Sequence, residues 1–236
     1  MEPLMQSWSI NAVNLPEHGD NPVHTVEGGL AAGFAGAVVA GTTVAAYMTR
    51  PVVEAWGIDW LTRGGYDVAF RGPVLADEPL TVGPDDQDPD RIVAAISGRE
   101  CAWLAPTKSP APFAAAKGRR LEPTVFELTD RWTGYAARAG EDLGLYSAEN
   151  VVHPVVWITL ANRVFVEQMI DGAWVHTRSR VAHRATAAPN DIVIIEACEI
   201  DRFETRSGER AVVQMEMTVD GIPVVEVEHE ALVRLF

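Results

Sequence analysis

Alternation of apolar and polar positions is clearest toward the C-terminus, where Val213, Met215, Met217 and Val219 interleave with Gln214, Glu216 and Thr218. A period of two predicts a strand in a sheet with one wet face. Asp220-Gly221 then supplies a favoured two-residue turn, and Val225, Val227 and Ala231 alternate with Glu226, Glu228 and Glu230, completing an antiparallel hairpin. In the first half, residues 92–97 and 101–105 flank Gly98-Arg99-Glu100 in the same manner. Two apolar stretches of a different kind, residues 42–56 and 155–169, lack that alternation and have the length of buried helices.

These elements recur in order. A helix at 42–56, a strand at 66–70, a turn around Ala76-Asp77-Glu78-Pro79 and a strand at 80–82 are followed by a helix at 155–169, a strand at 174–178, a turn around Ala188-Pro189-Asn190-Asp191 and a strand at 192–195. The offset is about 110 residues, close to the length of a small domain. Between the copies, residues 105–123 carry Pro106, Pro110, Pro112 and Pro123 around Lys117-Gly118-Arg119-Arg120, which reads as a linker. The expectation is an α+β chain of two modules, residues 1–116 and 117–236, each an antiparallel sheet wrapped around a long central helix.

Composition narrows the function classes. At 236 residues, with 47% hydrophobic and 22% charged positions, the chain can bury a substantial core. Acidic residues outnumber basic ones 33 to 19, which opposes attraction to nucleic acid or an anionic membrane. Cys101 and Cys198 are too few for a disulfide framework and lack metal-site spacing, so both are read as strand thiols in a reducing cytoplasm. Residues 1–5 have neither the basic nor the apolar region of a secretory signal, so export is not expected. Residues 28–49 contain no charge and could span a bilayer by length, but their many glycines and alanines favour a buried helix. No G-x-G-x-x-G or Walker loop, G-x-S-x-G elbow or H-E-x-x-H helix is present.

One segment carries chemistry. The run His18-Gly19-Asp20-Asn21-Pro22-Val23-His24-Thr25 precedes Gly33-Phe34 and a glycine, Gly41, that opens the first long helix. It resembles the signature of the MaoC-like, (R)-specific enoyl-thioester hydratases, in which an acidic residue, Asn-Pro, an aliphatic residue and His are followed by Gly-Phe and a helix-opening glycine. Asn21, Pro22, Val23, His24, Phe34 and Gly41 match. The resemblance extends through Tyr47-Met48-Thr49, Trp60-Leu61 and residues 70–73, and more loosely through the second half. It implies two fused hot-dog modules and reversible hydration of a 2-enoyl thioester, in fatty acid metabolism.

That reaction needs a base for water, a proton for the α carbon and donors for an enolate oxygen. The resemblance assigns the first two to Asp20 and His24 and the third to the backbone amides of Gly41 and Thr42, with Asn21, Pro22 and Phe34 supporting the motif. Metal and separate cofactor are not expected, because coenzyme A or phosphopantetheine enters as part of the substrate. The partner implied is a small acyl thioester, with an acyl carrier protein as a further candidate, on a monomer of two modules or a homodimer. This chain departs from the pattern in one respect: the acid usually precedes His by five residues, whereas Asp20 precedes His24 by four and Gly19 takes the expected place. Either Asp20 still reaches, or the pocket persists with altered chemistry; the alternatives are a hot-dog thioesterase, and a non-catalytic acyl-binding protein or a tailoring enzyme of secondary metabolism that keeps the fold and pocket. His18 could replace a missing member, but as a loop residue it reads as solvated.

The second half has no copy of the motif, so one site per chain is expected. His153 reads as a helix-start or core residue, Asn162 as a pocket candidate, and His176 and His229 as structural strand residues. Arg178, Arg180 and Arg184, with His183, are candidates for thioester phosphate, as is the run Lys117, Arg119 and Arg120. Arg178 and Arg180 alternate on one strand and share a face, and balancing nearby carboxylates is the competing reading.

Overall fold

The computed structural model describes residues 5–170 and 172–235. In chain order, β1 (Trp8–Asn11) leads through 3-10 turns at Pro16–His18 and Pro22–His24 to α1 (Val26–Ala31) and α2 (Gly41–Arg63). Strands β2 (Gly65–Phe70), β3 (Pro79–Pro84), β4 (Ile92–Ile96) and β5 (Arg99–Thr107) complete the first half. The second comprises β6 (Arg119–Arg120), β7 (Thr124–Glu127), α3 (Asp130–Thr133), α4 (Tyr135–Ala139), α5 (Leu145–Glu149), α6 (Val155–Gln168), β8 (Val175–His183), β9 (Ile192–Thr205), β10 (Gly208–Val219) and β11 (Ile222–Leu235).

Among the described residues the strands form one antiparallel sheet in the order β1-β3-β4-β5-β2-β8-β11-β10-β9-β6, with β7 also on β9. The seam is β2 against β8, Asp67 opposite Arg180 and Val68 opposite Ser179. Outward from it, β5-β4-β3-β1 on one side mirrors β11-β10-β9 with β6 and β7 on the other. The repeated order read from the sequence is therefore a repeated topology, the double hot-dog arrangement.

The two long helices fill the wrapped sheet. Residues Thr42 to Thr49 of α2 are buried without interruption, so this segment is enclosed on every side. Gly57, at φ +62°, breaks α2 just past the expected end at Trp56, and a further stretch runs on to Arg63. The helix α6 buries Ile158, Leu160, Ala161, Val164 and Phe165. The hairpin turn is as expected, Asp220 and Gly221 both holding positive φ (51° and 76°) between β10 and β11. The charge-free segment divides between α1, a loop and the start of α2, and no described helix is long and apolar enough to cross a membrane. Cys101 and Cys198 are buried free thiols in β5 and β9. The linker is not wholly irregular: β5 reaches Thr107, and Arg119–Arg120 pair with Glu199 and Cys198.

Candidate active site

The motif segment is pinned from three directions. Prolines at the first positions of both 3-10 turns set φ for the bend. Asn21 accepts a hydrogen bond from the Val23 amide (3.4 Å) and donates to the Trp174 carbonyl (3.3 Å), tying the turn to the second half. Thr25 caps α1 by accepting from the Gly28 amide (3.0 Å). Beneath α1 there is no room for side chains: a Cβ on Gly28 would lie 2.0 Å from the Pro22 oxygen, and one on Gly29 2.0 Å from the Gly36 oxygen. These two glycines let α1 rest directly on the motif, a role the sequence reading missed.

Within this frame His24 is fixed. Its Nδ1 lies 2.7 Å from the Val38 carbonyl, which can only accept, so Nδ1 carries the hydrogen and Nε2 keeps its lone pair. Burial lowers the His24 pKa, partly opposed by the bond to Val38. The ring is therefore a neutral acceptor. It lines a cavity of about 1040 Å³ together with Asn21, Phe34, Gly41, Thr42, Phe70, Leu160 and Trp174.

The start of α2 faces the same cavity. The amides of Gly41 and Thr42, first in the helix, have no hydrogen-bond acceptor among the described residues, whereas those of Thr43 and Val44 bond to Ala40. A Cβ on Gly41 would come within 3.2 Å of the Phe70 ring, so the glycine keeps this approach open.

Asp20 does not join His24. It reaches the cavity rim but is exposed, and its carboxylate has no hydrogen bond or ion pair among the described residues. The one-residue shift leaves it exposed, beyond the first 3-10 turn. The imidazole beside His24 belongs instead to His18, their ring centroids 6.5 Å apart in an edge arrangement. The expectation that His18 is solvated is corrected, since it is 8% exposed. His18 Nε2 lies 3.0 Å from the Tyr135 hydroxyl and 3.2 Å from Thr42 Oγ1, and the Tyr135 hydroxyl lies 2.9 Å from Thr43 Oγ1. Burial, followed by the nearby His24, pushes the His18 pKa down to about 4.

Arg178, Arg180 and Arg184 do share the outer face of the sheet, but they are paired there with Asp67, Glu228 and Glu226 and none lines the cavity. Arg119 is likewise engaged, 2.5 Å from Glu199. The arginines that line the cavity are Arg71, Arg131, Arg163 and Arg210. Arg163 and Arg210 bond to Glu167 (2.6 Å) and Glu230 (2.5 Å), whereas Arg71 and Arg131 have no acidic partner among the described residues and lie over Trp103 and Trp132. No local signal in the sequence sets these two apart.

The remaining candidates fall as follows. Asn162 lines the cavity with its Oδ1 unpartnered. His153 sits at the start of α6, its Nδ1 accepting from the Val155 amide (3.2 Å) and its Nε2 2.7 Å from Glu141 Oε1, both side chains fully buried. His176 and His229 are buried strand residues joined through Ser179 Oγ, 2.8 Å from each ring, although His176 also reaches the cavity wall. Ahead of α6, Trp132, Tyr135 and Tyr146 are packed into the core.

No family model matches the sequence, and no curated protein matches it significantly. Solved structures do match over nearly the whole length. A MaoC-like dehydratase superposes with a TM-score of 0.64 at 13% identity, covering 99% of this chain and 98% of its own. A conserved hypothetical protein from Mycobacterium tuberculosis, described as having a double hot-dog fold, gives 0.64 at 11% identity, covering 98% and 96%. An acyl-ACP thioesterase from Bacteroides thetaiotaomicron gives 0.56 at 8% identity, covering 96% and 97%. At such identities the likeness is one of fold, and the fold is the double hot-dog.

Proposed function

We propose that the protein is an acyl-thioester hydratase/dehydratase that interconverts a 2-enoyl thioester and its 3-hydroxyacyl form. The observation that carries this reading is His24, a ring held through Nδ1 by the Val38 carbonyl, so that Nε2 keeps its lone pair, in the wall of the cavity that Gly41 and Thr42 also line at the open end of α2. In the hydration direction Nε2 takes a proton from water as the oxygen bonds to C3. The electron pair moves toward the thioester oxygen, where the Gly41 and Thr42 amides receive the enolate, and the proton on Nε2 passes to C2. The charge is stabilised by backbone dipoles that need no reorganisation during the step.

Two further assignments follow from the same reading. Arg71 and Arg131 are the cations free to meet the phosphates of coenzyme A or phosphopantetheine. Asp20, solvated at the rim, takes no proton step. The test is an assay of crotonyl-CoA and of longer and branched enoyl-CoAs by loss of enoyl absorbance, with free thiol followed in parallel. Hydration by the parent and a loss of about 10³-fold in His24→Ala are expected. Loss of enoyl absorbance matched by an equal release of free thiol establishes a thioesterase instead, because hydrolysis breaks the conjugated thioester just as hydration does.

A further inference from the structure

We infer that His18 is a second catalytic residue, which holds the attacking water against His24 where an acidic residue was expected. The inference rests on the hydratase/dehydratase reading above and adds a group to it.

Position is the first argument. Gly19 has no side chain to offer, and Asp20 is exposed at the cavity rim, whereas His18 is buried in the wall of the same cavity as His24. Ring centroids 6.5 Å apart leave space for one water bonded to both rings, since each such bond spans about 2.8 Å.

Hydrogen bonding supplies the second. Nε2 of His18 is engaged by the Tyr135 hydroxyl and Thr42 Oγ1, while Nδ1 has only a 3.5 Å approach to Thr42 Oγ1. When Nε2–H donates to the Tyr135 oxygen, the Tyr135 O–H donates onward to Thr43 Oγ1 at 2.9 Å, and Nδ1 presents a lone pair. The bridging water then donates one hydrogen to His24 Nε2 and the other to His18 Nδ1, and its oxygen lone pair is free to attack C3. Burial keeps both rings neutral near pH 7, so neither loses its acceptor to protonation.

The proton balance closes on His24 alone. The water O–H bond breaks toward His24 Nε2 as the O–C3 bond forms, and that proton is returned to C2. His18 holds the second hydrogen throughout and ends unchanged. With its hydrogens running from His18 through Tyr135 to Thr43, the chain holds the ring in the tautomer that leaves Nδ1 as acceptor, which makes Tyr135 a positioning residue contributed by the second half of the chain.

The test compares His18→Gln, which keeps an amide near the Nε2 position, with His18→Asn, which keeps one near Nδ1. Unfolding transitions are recorded for both. The expected result is a fall in kcat of about 100-fold for His18→Gln with KM little changed, and recovery of about tenfold of that loss in His18→Asn. Tyr135→Phe, which retains the ring, is expected to lower kcat about tenfold and serves if His18→Gln does not fold. Parent-like kcat in His18→Gln, or in Tyr135→Phe where that variant stands in, overturns the assignment, as does an Asn variant no better than Gln. If His24→Ala abolishes hydration while His18→Gln does not, the hydratase reading survives and only the role of His18 falls. A parent that hydrates no enoyl thioester removes both.

Discussion

Replacing Gly28 by alanine tests whether the fit of α1 on the motif segment sets the chemistry. The new Cβ would stand 2.0 Å from the Pro22 oxygen and 2.5 Å from its carbonyl carbon, both rigid backbone atoms. Ordinary contact begins at 3.4 Å, so 3.4 less 2.0 requires about 1.4 Å of separation between α1 and the Pro22–His24 turn. The Pro22 carbonyl also accepts from the Thr25 amide (3.0 Å) and hydroxyl (2.9 Å), so a shift there disturbs the turn that carries His24. Overpacking of this kind costs about 1–3 kcal/mol, and in a chain of this size Tm moves by about 2–4 °C per kcal/mol. Displacing a catalytic group by about 1 Å costs about 100-fold in rate. Enoyl-CoA hydration and thermal unfolding, measured on Gly28→Ala beside Leu30→Ala, check both numbers, because Leu30 is exposed on the same short helix. Parent-like kcat and Tm in Gly28→Ala would refute the claim that this packing positions His24.

Acid should destabilise the protein through its buried imidazoles. Burial holds His176 and His183 at about 3 and His18 at about 4, below the ordinary value of 6.5, so the unfolded chain binds more protons on acidification. Their contribution is complete above pH 6.5 and is lost as pH falls toward 3–4, by about 1.4 kcal/mol per pH unit for each ring. His183, with both nitrogens unpartnered against Trp60 and Tyr66, is the cleanest case. His183→Leu should flatten the fall in Tm between pH 6.5 and 4.5, and an unchanged slope would count against a neutral buried ring there. Arg71→Ala and Arg131→Ala should each raise KM for a coenzyme A thioester about tenfold, the equivalent of about 1.4 kcal/mol, with little effect on a short pantetheine thioester. Arg178→Ala should leave both KM values unchanged, since its charge is spent on Asp67.

What the sequence disclosed was what short-range periodicity controls. Val213 to Val219 alternated because one face of β10 meets the core, and Asp220-Gly221 was readable because the turn needs two positive φ values. The start of α6 was clear for the same reason, with an apolar run opening after Pro154. The short helices α3 to α5 were not foreseen, because each spans only four or five residues, too few to show a helical period. At the site, His24 was marked by its motif, but the burial of His18 and the exposure of Asp20 were hidden. Which residue of a 3-10 turn faces inward was decided by Thr42 and Tyr135, the latter 117 positions away. Likewise, strand alternation placed Arg178 and Arg180 on one face without saying which, and only the pairing of β8 with β2 and β11 brought Asp67 and Glu228 to meet them.

The mirrored order of the sheet within a single polypeptide removes a constraint that binds an assembly of identical subunits. There, every substitution is made twice, and a residue recruited to brace one centre also alters its twin. Here Tyr135 can support His18, and the carbonyl before β8 can anchor Asn21, while the corresponding positions of the other half go their own way. Covalent joining thus permits a division of labour in which one half carries His18 and His24 in the cavity wall and the other is moulded around them. Expressed separately, the first half would lack both of these supports.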